Sequence, residues 1–300
     1  MNNEFNVPRR RWGKSDIDIP VIPFGTQGFG NNFGLVSDDD ACKLIRRAVD
    51  IGVNHFDSAL CYGDSVRKLG LAIKTGVVKR DEIIVSGRVC CHSGENTDFS
   101  AEHAISDIEN QLEMLGMDYF DAMFIHDPIK IDPTLAKGGT LSGLLEAKNR
   151  ELVRNVGYGM NPHEFHLKVI ATGDVDVLLT FNDYNLLQHI IQDDILPAAA
   201  ARDIGVLNGW SIKRGLLTGI DLSSHDKNNT EVARAIKMRQ WCIDNNVSLL
   251  ALALQFCLRE ERIHGNPLGS LNIEQLEMNA HAVSDPLPPD IFERFEAQGF

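Results

Sequence analysis

His55-Phe56-Asp57-Ser58-Ala59-Leu60-Cys61-Tyr62-Gly63 is the stretch on which the reading of this chain turns. A short apolar strand ends at Asp57, and a tyrosine precedes a glycine in the loop beyond it. After the loop, Val66, Leu69, Gly70 and Ile73 fall on one side of a helical pattern. A carboxylate therefore closes a strand and a phenol sits just past it. In a chain of alternating strands and helices, that end of the strands is where chemistry is done. The stretch reads as half of a proton-donating site.

Outward from it the same unit repeats. Apolar runs lie at 21–26, 53–57, 83–89, 121–126, 153–159, 175–181, 205–210 and, least distinctly, 267–269, and helical patterns separate them. After the first run, Ala41, Leu44, Ile45, Ala48 and Val49 recur at helical spacing, with Ser37 and Asp40 placed to cap the start and Gly52 to end it. After the third run, Ala104, Ile105, Ile108, Leu112 and Leu115 face inward before Gly116. A recurrence of roughly 30 residues is that of a (β/α)8 TIM barrel, an α/β fold, here expected as one domain over 1–300. An open doubly wound sheet would want Gly-x-Gly-x-x-Gly after the first strand. Gly25, Gly28, Gly30 and Gly34 lack that spacing.

Before the first run, residues 8–20 read as an N-terminal β-hairpin of Arg9-Arg10-Arg11-Trp12 and Ile17-Asp18-Ile19, its arginines expected on a solvated face. A polar surface loop is expected at 221–230, then helices at 231–245, 248–259 and from Ile273.

At 43% hydrophobic and 24% charged over 300 residues, the composition is that of a globular protein. A net charge of −13 without a basic block argues against nucleic acid or an anionic membrane as partner. No apolar run approaches the ~20 residues of a membrane span, and Met1-Asn2-Asn3-Glu4-Phe5 lacks a secretory pattern. None of the six cysteines forms a C-x-x-C pair, so reduced thiols, a cytoplasmic location and no metal site are expected. His163 and His166 share helical spacing without a carboxylate pattern and are expected on a solvated face.

By strand ends, Asp57, Tyr62, Arg88 and His126 point to one rim. A phenol of pKa ~10 is a poor acid or base near neutrality. A cation about 4 Å away, at an effective dielectric near 20, contributes ~4 kcal/mol, or roughly three pK units. Arg88 is therefore expected to depress the Tyr62 pKa, with Asp57 holding Arg88 in place. His126 is expected to orient a substrate carbonyl or pass a proton.

Phe56-Asp57-Ser58-Ala59-x-x-Tyr62-Gly63-x-Ser65, Ser86-Gly87-Arg88-Val89 and Phe124-Ile125-His126-Asp127-Pro128 together resemble the aldo-keto reductases, as does the order of elements over nearly the whole chain. The resemblance implies a (β/α)8 barrel, a nicotinamide cofactor extended across the rim, and a catalytic set of Asp57, Tyr62, Arg88 and His126. Arg88 stands where the family has lysine. Arginine keeps the charge but is planar, bulkier and never deprotonated.

The resemblance also implies a cofactor set. Trp210 would stack on nicotinamide, and Ser211, Ile212, Gly215 and Leu217 would cover the pyrophosphate. Asn161, or its neighbour Met160, would meet the carboxamide. Gly269, Ser270, Gln275 and Asn279 would line the adenosine, and Thr26 completes the set. Members favouring the 2′-phosphate carry a cation near Gly269, Leu271 or Gln275. None is present here, so NAD(H) is expected to serve at least as well as NADP(H).

Gly157-x-Gly159-Met160-Asn161, His126-Asp127-Pro128 and Asn208-Gly209-Trp210-Ser211 further resemble the family's sugar-dehydrogenase branch, the L-galactose and D-threo-aldose dehydrogenases. The function implied is hydride transfer between nicotinamide and a carbonyl or hemiacetal carbon of a small sugar or aldehyde. The arginine leaves two alternatives: a redox-impaired cofactor-binding protein, or a sugar lyase or epimerase using transient redox. Loops at 30–36, 90–97, 128–138 and 221–230 face the substrate without a readable code, and nothing in the pattern specifies an oligomeric state.

Overall fold

The computed structural model describes residues 5–91 and 97–300; the expected loop at 90–97 thus falls mostly outside the described residues. In chain order the strands are β1 (Arg9–Arg11), β2 (Asp18–Pro20), β3 (Phe24–Gly25), β4 (His55–Asp57), β5 (Ile84–Val89), β6 (Ala122–His126), β7 (Val156–Met160), β8 (Val177–Phe181), β9 (Tyr184–Asn185), β10 (Gln188–His189) and β11 (Gly205–Gly209). The helices are α1 (Asp38–Asp50), α2 (Ser65–Lys74), α3 (Ala101–Leu115), α4 (Asp132–Leu135), α5 (Thr140–Asn149), α6 (His163–Thr172), α7 (Ile195–Ala200), α8 (Thr230–Asp244), α9 (Leu249–Arg259), α10 (Ile273–Ser284) and α11 (Ile291–Glu296).

A parallel sheet runs in the order β11-β8-β7-β6-β5-β4-β3. An eighth, irregular stave over residues 264–268 joins its two edges. On one side His264 N–H donates to Val206 C=O and Asn208 N–H to Gly265 C=O, each at 2.8 Å. On the other, Asn266 N–H donates to Val21 C=O, Leu268 N–H to Pro23 C=O and Gly25 N–H to Leu268 C=O, at 2.8, 2.9 and 2.8 Å. The ring is closed, and its last stave begins three residues before the expected 267–269. Every residue of β6, β7 and β11 is buried, as a parallel sheet covered on both faces requires.

The helices form as their sequences dictate. Ser37 accepts from Asp40 N–H to cap α1, and Gly116 ends α3 in the left-handed region. The loop at 221–230 is exposed apart from Leu222. Among the described residues, no single helix is long and apolar enough to cross a membrane.

The hairpin of β1 and β2 stops the N-terminal mouth of the barrel. Trp12 is fully buried beside His55 and Phe124, at ring distances of 5.2 and 6.1 Å. Gly13 makes this possible: at φ +54°, a Cβ there would lie 2.3 Å from the Gly205 nitrogen. Arg9 and Arg11 lie on the solvated face expected of them, whereas Arg10 is partly buried. Arg10 donates to the carbonyls of Leu258, Glu260 and Ile263, Arg9 to Asp18 and Asn54, and Arg11 to Asp203. Unpaired carbonyls at the end of α9 and its loop draw the Arg10 guanidinium down. With one mouth stopped, the C-terminal rim is left for chemistry.

Candidate active site

Asp57 closes β4 and is buried, and both of its oxygens are engaged. One accepts from Ser86 Oγ at 2.9 Å and the other from Arg88 Nη2 at 2.5 Å. Arg88 comes from the neighbouring strand β5, whose Ser86 is paired in register with Asp57. Its guanidinium lies 5.4 Å from the centre of the Tyr62 ring. His126 closes β6 and meets Tyr62 edge to face at 6.1 Å. The four residues chosen from the sequence do gather on one rim.

Their surroundings fix Tyr62 closely. The turn after β3 presses against it at Gly30, where a Cβ would lie 2.1 Å from the Tyr62 carbonyl oxygen. Lys68, buried on α2, ties that turn down by donating to the carbonyls of Phe29 and Val36 at 2.8 and 2.7 Å. Thr26, expected to meet cofactor, is instead a fully buried strut. Its hydroxyl donates to the Asp57 carbonyl at 3.0 Å and contacts Ser65 Oγ at 2.7 Å, so it supports Asp57 from below.

Electrostatics correct one expectation. Burial drives the Tyr62 phenol above its ordinary pKa. Arg88 opposes the rise without overcoming it, because Asp57 and the thiols of Cys61 and Cys91 push the same way as burial. Burial works against the charge of Arg88 too, yet Asp57 and Tyr62 carry its pKa above the usual arginine value. The guanidinium's charge is largely answered by Asp57, leaving Tyr62 a neutral phenol rather than a phenolate.

The strand ends carry backbone strain. Cys90, Asp127, Asn182 and Trp210 follow β5, β6, β8 and β11 directly, and all four have positive φ, at 57, 40, 63 and 61°. Each such conformation costs ~1–3 kcal/mol and clusters where side chains must be aimed.

On the side expected to meet cofactor, Trp210 packs on Phe181 with ring centres 5.5 Å apart, and the Arg214 guanidinium covers one indole face at 3.9 Å. Ser211 is fully buried and its Oγ has no partner; Asn208 Oδ1 is likewise unsatisfied. Ile212, Gly215 and Leu217 belong to the turn that follows, where Leu217 N–H donates to Ile212 C=O at 3.2 Å. Asn161 is exposed at the rim, donating to the Phe181 carbonyl at 3.0 Å, whereas Met160 is buried in the barrel. Past the eighth stave, Asn279 Nδ2 donates to Ser270 Oγ at 3.2 Å, and Gln275 Oε1 accepts from Leu271 N–H at 2.8 Å, just beyond Gly269. Asn272, not Asn279, caps α10.

Several site residues were not legible. Cys61 and Cys91 each place Sγ 3.5 Å from His126 Nδ1, whereas no metal-type grouping was expected. The hydrogen bond between the two thiols lowers the Cys91 pKa and raises that of Cys61. Asp183, two residues past β8, is buried, and that burial pushes its pKa up to about 7 against the pull of His163 and Lys213. The solvated face expected for His163 and His166 is also wrong. His166 is fully buried, with Nε2 bonded to the Met160 carbonyl at 2.8 Å, and His163 pairs with Asp194.

A closed parallel barrel, plugged below and carrying Asp, Tyr and His side chains at adjoining strand ends, is an aldo-keto reductase arrangement. Residues 21–298 match the aldo/keto reductase family, and the chain belongs to that family. Its members use nicotinamide cofactors, usually NADP(H). The chain is 28% identical over 287 residues to L-galactose dehydrogenase of Arabidopsis thaliana, covering 93% of this chain and 89% of that protein. It is 25% identical over 311 residues to D-threo-aldose 1-dehydrogenase of a Pseudomonas species, covering 92% and 93%. In fold it is similar to an aldo-keto reductase from Bacillus halodurans in its holo form, with a TM-score of 0.81, 20% identity, and coverage of 97% and 96%. The family and these oxidoreductase relatives make the chain an oxidoreductase by kinship.

Proposed function

We propose that this protein is an NAD(P)-dependent dehydrogenase of a small sugar or aldehyde, with Tyr62 as the proton donor and acceptor. The observation that carries the reading is Tyr62 seated 5.4 Å from the Arg88 guanidinium and edge-on to His126. The cofactor side fits a dinucleotide, because the buried, partnerless Ser211 Oγ and the half-open Trp210 ring offer a phosphate donor and a stacking surface. A bound reduced nicotinamide supplies the hydride. Tyr62 holds the proton that the nascent alkoxide takes up, and in oxidation accepts it from the hydroxyl. His126 steers the reacting oxygen toward that phenol. Asp57 and Ser86 hold Arg88 so that its charge faces the developing alkoxide.

The substrate class follows the two sugar-dehydrogenase relatives, and residues 1–300 act as one barrel domain. With Gly269, Leu271 and Gln275 uncharged, no cation from that segment meets a 2′-phosphate. A charged hydrogen bond is worth ~1.5–3 kcal/mol, so NAD(H) serves at least as well as NADP(H). NADPH binding tenfold tighter than NADH would reject that preference.

The test is a panel of aldoses and aldehydes followed by nicotinamide absorbance. Turnover of at least one sugar or aldehyde is expected. Tight cofactor binding with no turnover of any would favour the redox-impaired alternative, which Arg88 motivates.

A further inference from the structure

His126 does not face Tyr62 alone. Its Nδ1 lies 3.5 Å from Cys61 Sγ and 3.5 Å from Cys91 Sγ, and the three donor atoms are all within 4.8 Å of one another. The other ring nitrogen, Nε2, lies 3.5 Å from an Asp127 carboxylate oxygen. The three residues come from the loop after β4, the loop after β5 and the end of β6, which are neighbours in the ring. Both cysteines are part-exposed, so the cluster is open to the rim.

These separations are those of a coordination sphere. A tetrahedral zinc ion holds sulfur at ~2.3 Å and imidazole nitrogen at ~2.0–2.1 Å, which sets sulfur and nitrogen about 3.5 Å apart. The carboxylate behind Nε2 favours a proton there and leaves the Nδ1 lone pair aimed at the thiols. A carboxylate in that place is the usual support of a metal-bound histidine. Two thiolates and one imidazole leave a tetrahedral ion one further position. That donor count is one used by catalytic rather than structural zinc sites. Two thiolate charges balance a divalent cation, so the Asp57–Arg88 pair beside it needs no change in charge.

We propose that Cys61, Cys91 and His126 form a binding site for a single zinc-class divalent cation, with its fourth position open to the substrate rim. Binding displaces one proton from each thiol, so affinity rises with pH. The site shares His126 with the proposed dehydrogenase site, but the two are tested separately because metal uptake is measured without turnover.

The test uses the full chain, reduced and stripped of metal by a chelator, and titrated with Zn2+ and separately with Co2+. One ion per chain is expected, and the cobalt form should show sulfur-to-metal charge-transfer absorption with tetrahedral d–d bands. Cys61→Ser, Cys91→Ser and His126→Ala should each weaken binding at least about 100-fold, and Asp127→Asn about tenfold. Cys42→Ser, on α1, should leave it unchanged. Lack of stoichiometric uptake, a cobalt spectrum without thiolate bands, or binding that survives the loss of both Cys61 and Cys91 overturns the proposal. Should a variant fail to fold, the spectrum of the unaltered protein decides by itself.

Discussion

Asp57→Asn isolates the charge balance of the site. The substitution keeps the shape of the side chain and an oxygen for Ser86, but removes the charge facing Arg88. Both members of the pair are almost wholly buried, with side chains 6% and 3% exposed. Removing one partner of such a pair leaves a buried charge uncompensated and costs about 3–5 kcal/mol. That is a large part of the ~5–15 kcal/mol available to a folded protein, yet leaves it foldable. Urea unfolding at constant pH should register the loss. Arg88→Met added to Asp57→Asn should restore part of it, because no orphan charge then remains. The same substitution should lower the Tyr62 phenol pKa, since Asp57 is one of the groups raising it. Ultraviolet titration against a Tyr62→Phe reference would follow that phenol. A loss below about 1 kcal/mol, or a double variant as unstable as the sum of the singles, would show that the Asp57 charge does not offset that of Arg88.

Arg88 meets Asp57 through one nitrogen only, and its Nε is buried without a partner. Arg88→Lys should therefore retain turnover, whereas Arg88→Met should lose about 100-fold or more; equal losses in steady-state kinetics would contradict this. Gly30→Ala forces a Cβ onto the Tyr62 backbone, so kcat should fall by about 100-fold with the cofactor Kd little changed. His55 and His166 are held neutral by burial, with pKa values lowered to about 4. The unfolded chain then binds protons that the native chain refuses, and stability should drop as pH falls from ~6.5 toward 4, on the order of 3 kcal/mol for each histidine. Asp183 runs the other way: its pKa is raised to about 7, so its contribution is lost as pH rises through 7. Asp183→Asn should thus stabilise the protein at pH ~8 and make no difference below pH ~4. A pH-independent effect in thermal unfolding would exclude that origin.

The alternation of strands and helices was readable because each stave is a compact apolar run and each helix carries an amphipathic stripe. The last stave was blurred because His264-Gly265-Asn266-Pro267-Leu268 is polar, glycine-bearing and broken by proline, so its pairing rests on a few backbone bonds instead of a β-rich sequence. Asp57, Tyr62, Arg88 and His126 were legible because strand ends announce themselves and neighbouring strands converge. The direction of the Tyr62 pKa was not. It depends on burial outweighing Arg88, and a linear sequence shows the charges without the depth. Cys61 and Cys91 looked unrelated for the same reason, since only the register of β4 with β5 brings their loops together. Thr26 and Arg10 were misjudged because their bonds run to backbone carbonyls, which no side-chain pattern reveals.

In the proposed nicotinamide-dependent reaction the Tyr62 phenol, in the loop after β4, moves the proton. Tyr62→Phe, assayed for turnover of a sugar or aldehyde and, separately, for cofactor binding, tests that role. A fall in kcat of about 100-fold or more with an unchanged cofactor Kd is expected. Full turnover by the phenylalanine variant would contradict it.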